Sequence, residues 1–247
     1  MKVQSRKQRE VQAREAEILK AALDLLMRHG YHGLSMDRIA EALEYSKGTM
    51  YLHFSCKEEV LLALANEALV VRLDMFRRAA AYRGQSRERL IATGLASELF
   101  VHLFPHHFSV EQVIRVPSVW EKTSEKRRET MRSLETQCIG VIGGIVRDAV
   151  ASGDLELPAG TVPEHIVFGL WSMTFGALSI ATSNLSLVDA SLADPIAILH
   201  ENQSRLVDGY GWRPLSHEYD YQATAARVGE TVFPMECTQA GAALHSQ

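Results

Sequence analysis

Residues 35–59 read SMDRIAEALEYSKGTMYLHFSCKEE, and their pattern predicts two short helices in quick succession. Ser35 and Ser46 each stand just before a run with apolar residues at helical spacing, which is typical of a helix N-cap. The first helix is expected over residues 36–43, and the second is expected to end at His53. Two short helices joined by a few residues form a helix-turn-helix.

Longer helices are predicted on both sides of this pair. Gly30 is expected to end the preceding helix, because glycine best tolerates the left-handed conformation past a helix end. Ser55 and Glu58 form a capping box that opens the following helix. Met50 and Phe54 are four residues apart, so both are expected to pack inward from the second short helix. The apolar stripe of the preceding helix consists of Ile18, Leu19, Ala22, Leu23, Leu26 and Met27.

The side chains of this region suit contact with double-stranded DNA, whose major groove receives the second helix of such a motif. Ser35 and Ser46 stand at helix N-termini, where a hydroxyl and free N–H groups can meet a phosphate. Gly48 lets the backbone approach closely, and Lys57 is placed to hold a phosphate. Hydrogen-bond donors on the second helix are Lys47, Thr49, Tyr51 and His53. The pattern alone is equally compatible with a plain three-helix packing whose polar residues are solvated.

Charge is distributed unevenly along the chain of 247 residues. Residues 1–57 carry ten Lys/Arg and seven Asp/Glu, whereas the whole chain has a net charge of −4. A basic amino-terminal segment in an otherwise acidic chain is typical of a segment that binds a polyanion, although chance would give the same distribution of charge. The amino-terminal arm adds Lys2, Arg6, Lys7, Arg9 and Arg14, which either contact phosphates or are merely solvated.

The composition argues against a chain that is disordered throughout, a collagen-like repeat and a long coiled coil. An apolar fraction of 47% and a charged fraction of 23% are ordinary globular values. The three cysteines, at positions 56, 138 and 237, form neither a disulfide framework nor a zinc pattern, which favours a cytoplasmic setting. The stretch Ile166–Val188 lacks charge, but it is interrupted by polar residues that include Ser172, Thr174, Ser179, Thr182, Ser183 and Asn184, and no positive charge flanks it. We therefore expect a buried helix there and no membrane span.

The sequence contains no motif of an enzyme that we recognise. It lacks a nucleophile elbow, a P-loop, a zinc-protease motif and a dinucleotide fingerprint. His102, His106 and His107 cluster around Pro105, which interrupts the helix that a metal site of this spacing would need. We expect no catalytic residue, no metal and no cofactor.

The motif resembles the DNA-binding segment of the TetR family of transcriptional regulators. The resemblance is carried by Ile39-Ala40, Ser46-x-Gly48-Thr49-x-Tyr51-x-x-Phe54 and Lys57-Glu58. It implies that Thr49, Tyr51, His53 and Lys57 contact DNA and that Lys47 reads bases. Two positions depart from the family: Glu44 and Tyr45 replace a glycine and a small aliphatic residue, so that Tyr45 either packs the turn or reaches the groove. Cys56 replaces a small or polar residue and is either a passive residue or a redox switch.

The resemblance also implies a homodimer and an effector site in the second half of the chain. Further helices are expected over residues 86–104, from 109, over 118–152, 163–182 and 195–208, followed by a tail from 215 with one helical turn near 223–228. The expected dimer interface comprises Gly169, Gly176, Ala177, Ile196, Leu199 and Leu206. An apolar or aromatic effector is expected against Phe100, Phe104, His107, Trp120, Met131, Phe168, Trp171 and Phe175.

These inferences give an all-α chain with three parts: an arm and helix-turn-helix domain over 1–57, an effector-binding and dimerisation domain over 58–213, and a tail over 214–247. The expected function is a cytoplasmic, ligand-responsive regulator, a repressor released from a DNA operator by a small molecule. The alternatives are a helical interaction protein with weakened DNA binding and a helical enzyme.

Overall fold

A computed structural model describes residues 5–183 and 194–244, and within these ranges the chain forms twelve helices and no strand. The all-α prediction is confirmed. In chain order the helices are α1 (Arg6–Gly33), α2 (Met36–Ala42), α3 (Lys47–His53), α4 (Lys57–Ala80), α5 (Ser86–Leu103), α6 (Pro105–Val113), α7 (Pro117–Trp120), α8 (Glu125–Ser152), α9 (Pro163–Ala181), α10 (Pro195–Gly209), α11 (Tyr221–Thr231) and α12 (Pro234–Leu244).

Two predicted helix starts are wrong. α6 begins at Pro105 and not at Ser109, because proline suits the first helical position, and the Ser109 hydroxyl donates to the Pro105 carbonyl inside the helix. The long helix α8 begins at Glu125, after the separate short helix α7, and not near residue 118. At these two places a serine three residues before an acid or amide therefore mimics a capping box, whereas Ser5 and Gln8 form a true one at the start of α1.

The chain divides into two compact units. One comprises the chain up to Val70 together with Pro105–Leu134, and the other comprises Val71–Phe104 together with the chain from Glu135. The predicted boundary after residue 57 falls in the first turn of α4. Segment 105–134 is therefore packed with the helix-turn-helix, although the sequence analysis assigned it to the second domain.

In the first unit, α1 and α2 enclose a small core with α3. Ile18, Ile39 and Met50 are fully buried, and Phe54 is 1% exposed. α1 is kinked at Gly30, where the sequence predicts a helix end: the φ of 65° breaks the helical path, and helical residues resume as far as Gly33. The basic segment from Arg6 continues α1 and is not an extended arm, whereas Lys2 lies outside the described residues.

The second unit is built around a core between α5, α8, α9 and α10 that includes Ile145, Val146, Ile166 and Trp212. A buried guanidinium contacts the backbone of Trp212. Arg87, whose side chain is 2% exposed, pairs with Asp208 at 2.6 Å and donates to the carbonyl of Trp212 at 2.7 Å. This arrangement satisfies the guanidinium, which would otherwise be costly to bury.

The expected tail is instead two helices packed on α5. Thr224 and Val228 of α11 are fully buried, and the Thr224 hydroxyl donates to the Glu88 carboxylate at 3.0 Å. α12 is held by an ion pair of 2.5 Å between Arg78 and Glu236. The inward face of α11 contains threonine and glycine among its apolar residues, so its helical periodicity is weak in the sequence.

The described part of the chain contains no helix that is both long enough and apolar enough to cross a membrane. Residues 184–188 of the uncharged stretch lie outside the described ranges.

Candidate nucleic-acid interface

Two serines cap the helices of the motif, as predicted. The Ser35 hydroxyl oxygen accepts a hydrogen bond from the N–H of Arg38 at 3.2 Å. The Ser46 hydroxyl oxygen accepts one from the N–H of Thr49 at 3.1 Å and lies 2.9 Å from the Thr49 hydroxyl. Because each cap satisfies an unpaired backbone group, it fixes the residue at which its helix begins.

The turn between α2 and α3 forces a glutamate into a conformation that favours glycine. Glu44 has a φ of 54°. Its N–H donates to the Glu41 carbonyl at 3.2 Å, and the N–H of Tyr45 donates to the Ala40 carbonyl at 2.9 Å. These two bonds form a Schellman motif, which needs a left-handed residue at this position. The departure from the family pattern at residue 44 is therefore a source of backbone strain.

Tyr45 holds the turn to α1. Its hydroxyl donates to the carboxylate of Glu17, and this hydrogen bond raises the pKa of Tyr45. The side chain is half-buried. Of the two roles left open by the sequence, packing of the turn is the one that this geometry favours.

The outer face of α3 is open to solvent. Met50 is fully buried, whereas Tyr51 is 55% exposed and Leu52 is 85% exposed. Lys47 is exposed at the first turn, where its ammonium lies 2.9 Å from the Asp37 carboxylate. The hydrogen bond to Asp37 raises the pKa of Lys47, so the lysine remains charged.

Leu52 is an exposed residue that the sequence analysis missed. At 100° per residue, Gly48 and Leu52 lie about 160° from Met50 around the helix, and Tyr51 lies about 100° from it. A Cβ added at Gly48 would lie 3.7 Å from the Ser46 hydroxyl, an ordinary van der Waals contact. The helical wheel contains this signal, because Leu52 falls two positions after the inward-facing Met50.

Two predicted DNA contacts face inward. The His53 side chain is 6% exposed, and its Nδ1 lies 3.8 Å from the Glu15 carboxylate without a hydrogen-bond partner. Lys57 donates to the carbonyls of Tyr31 and Leu34, both at 3.2 Å. The geometry does not support His53 as a donor to DNA, because residue 53 lies three positions after Met50, towards the buried side of α3. Lys57 keeps one of its three N–H groups for another acceptor.

The predicted effector residues are not brought together as one set. Phe100 is fully buried on α5, and its ring centroid lies 5.6 Å from that of Phe104. The half-buried residues His107 and Trp120, and the buried Met131, belong to the first unit. Burial lowers the pKa of His107, with a smaller contribution from the charge of neighbouring His106.

Three aromatic residues predicted to line a pocket instead form a row along α9. Phe168 is 64% exposed, and Trp171 is 40% exposed. Their ring centroids are 5.9 Å apart, and the ring of half-buried Phe175 lies 6.0 Å from that of Trp171. The expectation that they line an interior pocket is therefore wrong for Phe168 and Trp171, which face solvent. Spacing shows which residues share a helix face but not which face meets the core.

The residues expected at a dimer interface fall into two groups. Leu199 is 4% exposed and belongs to the chain's own core, and a Cβ at Gly169 would lie 3.2 Å from Leu206 of α10. These positions pack α9 against α10 within one chain. Gly176 has open space beside it, while Ala177 and Ile196 are half-buried.

Within residues 5–183 and 194–244, no three His, Cys, Asp or Glu side chains are grouped so that they could hold a metal ion. The three histidines around Pro105 are therefore not joined by acids into such a group.

Comparison with known proteins agrees with this architecture. The chain is 26% identical over 219 residues to the HTH-type transcriptional regulator RutR of Escherichia coli O157:H7, covering 84% of this chain and 94% of RutR. A tetR-family regulatory protein from Rhodococcus RHA1 superposes with a TM-score of 0.62 at 19% identity, covering 80% of this chain and 97% of that chain.

The transcriptional regulator FadR from Bacillus subtilis, solved in complex with stearoyl-CoA, superposes with a TM-score of 0.60 at 18% identity, covering 78% of this chain and 98% of FadR. Residues 18–64 match the family described as bacterial regulatory proteins, tetR family. This match spans α2, α3 and the parts of α1 and α4 that enclose them. Residues 18–64 therefore carry the amino-terminal domain of the tetR family of bacterial regulatory proteins.

Proposed function

We propose that the protein is a transcriptional regulator that binds double-stranded operator DNA by inserting α3 into the major groove. The observation that carries this proposal is the solvent-exposed face of α3 beside the charged side chain of Lys47. Lys47 suits guanine, Tyr51 suits phosphate or base edges, and Leu52 suits the methyl group of thymine. Thr49 and the capped N-termini at Ser35 and Ser46 supply donors for the phosphate backbone.

The regulator acts as a homodimer, because one motif reads too few base pairs to select an operator. A two-fold dimer places two copies of α3 about 34–36 Å apart, on successive major grooves. The exposed row of Phe168 and Trp171 supplies an apolar surface on α9, and Ile180 at 47% and Ile198 at 37% exposure are further exposed apolar side chains on α9 and α10. Such a surface is unfavourable in water and favourable against a second copy.

The second half responds to a small apolar or aromatic effector, which releases a repressor from its operator in the cytoplasm. FadR, which shares this fold, was solved with stearoyl-CoA, a ligand with a long apolar chain. Phe100 and Phe104, which pack together in the second unit, are the candidates that remain after the correction on α9. The effector would favour a spacing of the two α3 helices that no longer fits DNA.

The test is selection of a duplex from a random library, followed by titration with the selected duplex and a scrambled one. We expect nanomolar binding to the selected duplex, a steep salt dependence and at least a thousandfold preference, which are typical magnitudes for specific sites. Failure to select any sequence would contradict the proposal. It would instead favour the interaction-protein alternative, for which the Glu44 carboxylate beside the motif is the supporting observation.

The dimer is tested separately by sedimentation of Trp171→Asp. A charge in an apolar interface is costly, so the variant should sediment as a monomer while retaining its helical circular dichroism. Val116→Asp is the control, since Val116 is 46% exposed but lies outside α9 and α10. Equal dimer content in the two variants would exclude this face as the interface.

A further inference from the structure

The first turn of α4 contains two buried acids. The side chains of Glu58 and Glu59 are 5% and 6% exposed. Acids favour a helix N-terminus because of the backbone dipole, but a buried carboxylate is costly unless it has partners. Both acids have partners in residues 121–127, which we call the α7–α8 junction.

Glu58 receives two donors at one oxygen. The ammonium of Lys122 lies 3.2 Å away, and the Tyr31 hydroxyl donates at 3.2 Å. Burial alone would raise the pKa of Glu58, but its hydrogen bonds, including those from its own backbone N–H and from Lys122, lower the pKa below its usual value. The junction is thereby tied to the end of α1 and the start of α4.

Arg127 makes a second, more central set of contacts. Its Nε lies 2.6 Å from Glu59, whose other oxygen accepts a hydrogen bond from the N–H of Ser124. Its guanidinium carbon lies 4.6 Å from the ring centroid of Phe54, and its Nη2 lies 4.0 Å from Glu15. One side chain of α8 thus contacts α1, the residue that ends α3, and α4.

Phe54 connects this contact with the recognition helix. It is the C-cap residue of α3, and its N–H donates to the Met50 carbonyl at 3.0 Å. A tilt of α3 would move the Phe54 ring away from the planar guanidinium while Glu59 holds that guanidinium in place. Arginine suits this role because its flat cation stacks on a ring and donates sideways to a carboxylate, whereas lysine is a point charge.

We propose that Arg127 is a positioning residue that sets the orientation of α3 for binding to DNA, without touching DNA itself. The inference rests on the proposed function, since it assigns Arg127 a role in DNA recognition. It deepens that function by placing a specificity determinant on α8, more than 70 positions after α3 in the sequence. Under this proposal Arg127 makes no direct contact with a DNA phosphate. An experiment can therefore distinguish a positioning role from a phosphate-binding role.

The experiment measures binding of wild type, Arg127→Gln and Arg127→Lys to the selected duplex and to a scrambled duplex, over a range of salt. We expect Arg127→Gln to lose about tenfold in affinity for the selected duplex, with little change for the scrambled one and an unchanged salt slope. Arg127→Lys should recover only part of the loss. Arg132→Gln is the control, because Arg132 is 51% exposed on the same helix and contacts Glu125 and the ring of Trp120, which lie outside the helix-turn-helix.

Each outcome decides between roles. Affinities are scaled to the active fraction and measured where circular dichroism shows full folding. Under these conditions a loss of stability alone leaves the preference for the selected duplex unchanged. An unchanged preference in Arg127→Gln would therefore overturn the proposal. A salt slope lower by about one, with equal losses on both duplexes, identifies a phosphate contact and also overturns it. If Arg127→Gln does not fold, wild-type preference in Arg127→Lys is the overturning result. Failure of wild type to select any duplex refutes the proposed function instead.

Discussion

Replacing Glu44 by glycine should stabilise the protein. Glu44 occupies the left-handed position of the Schellman motif with a φ of 54°, and no other described non-glycine residue has a positive φ. That conformation costs an L-residue about 1–2 kcal/mol, which glycine avoids. Glycine in turn lowers stability by about 0.4–1 kcal/mol through the greater freedom of the unfolded chain. The difference leaves a net gain of about 0.8 kcal/mol.

The assay is urea unfolding followed by circular dichroism. With an m-value of about 2 kcal/mol/M, the gain corresponds to a midpoint higher by about 0.4 M at constant m. Glu44→Ala is the matched control, because it removes the same carboxylate but keeps the Cβ that causes the strain. Its free energy of unfolding should change by less than about 0.5 kcal/mol. Equal midpoints for the glycine and alanine variants would refute the argument from backbone strain.

Three further predictions concern charge. Lys47→Ala should change which base is preferred at one position of the selected duplex, which repeated selection detects; an unchanged consensus would remove Lys47 from base reading. Arg87→Met should lower the free energy of unfolding by about 3 kcal/mol, since it breaks a buried pair, whereas Arg89→Met, whose partner is exposed, should cost less than about 1 kcal/mol. Burial alone would raise the pKa of Asp208, but hydrogen bonds from Ser216 and Arg87 lower it; its stabilisation is therefore present above the ordinary pKa of 3.8 and lost as pH falls through the folded value. Urea midpoints from pH 6 to 2.5 should accordingly depend less on pH in Asp208→Asn than in wild type.

Local signals predicted the motif well. Ser35 and Ser46 were assigned as caps because a short hydroxyl side chain satisfies a helix N-terminus whatever surrounds it. Gly30 was assigned to a helix end for a similarly local reason. The sequence predicts less well those contacts that depend on which side of a helix meets the core. His53 is an example, because it was expected to contact DNA and its side chain faces inward.

The two C-terminal helices were missed because their stability is not local. α11 is held by Glu88, which accepts hydrogen bonds from Tyr219 at 2.8 Å and from Thr224 at 3.0 Å. Such partners lie more than 130 positions apart in the sequence. A short helix with a mixed buried face has weak periodicity and gains its stability from packing.

The amino-acid order by itself determined the all-α class, the capped helix-turn-helix and the resemblance of this segment to the tetR family, since caps, turns and apolar periodicity act over a few residues. Only the tertiary structure decided that Phe168 and Trp171 face solvent, that residues 105–134 pack with the motif, and that Arg127 contacts Phe54. The physical reason is that burial and ion pairing are set by partners distant in the chain, and a helix face acquires its role only when another element packs against it.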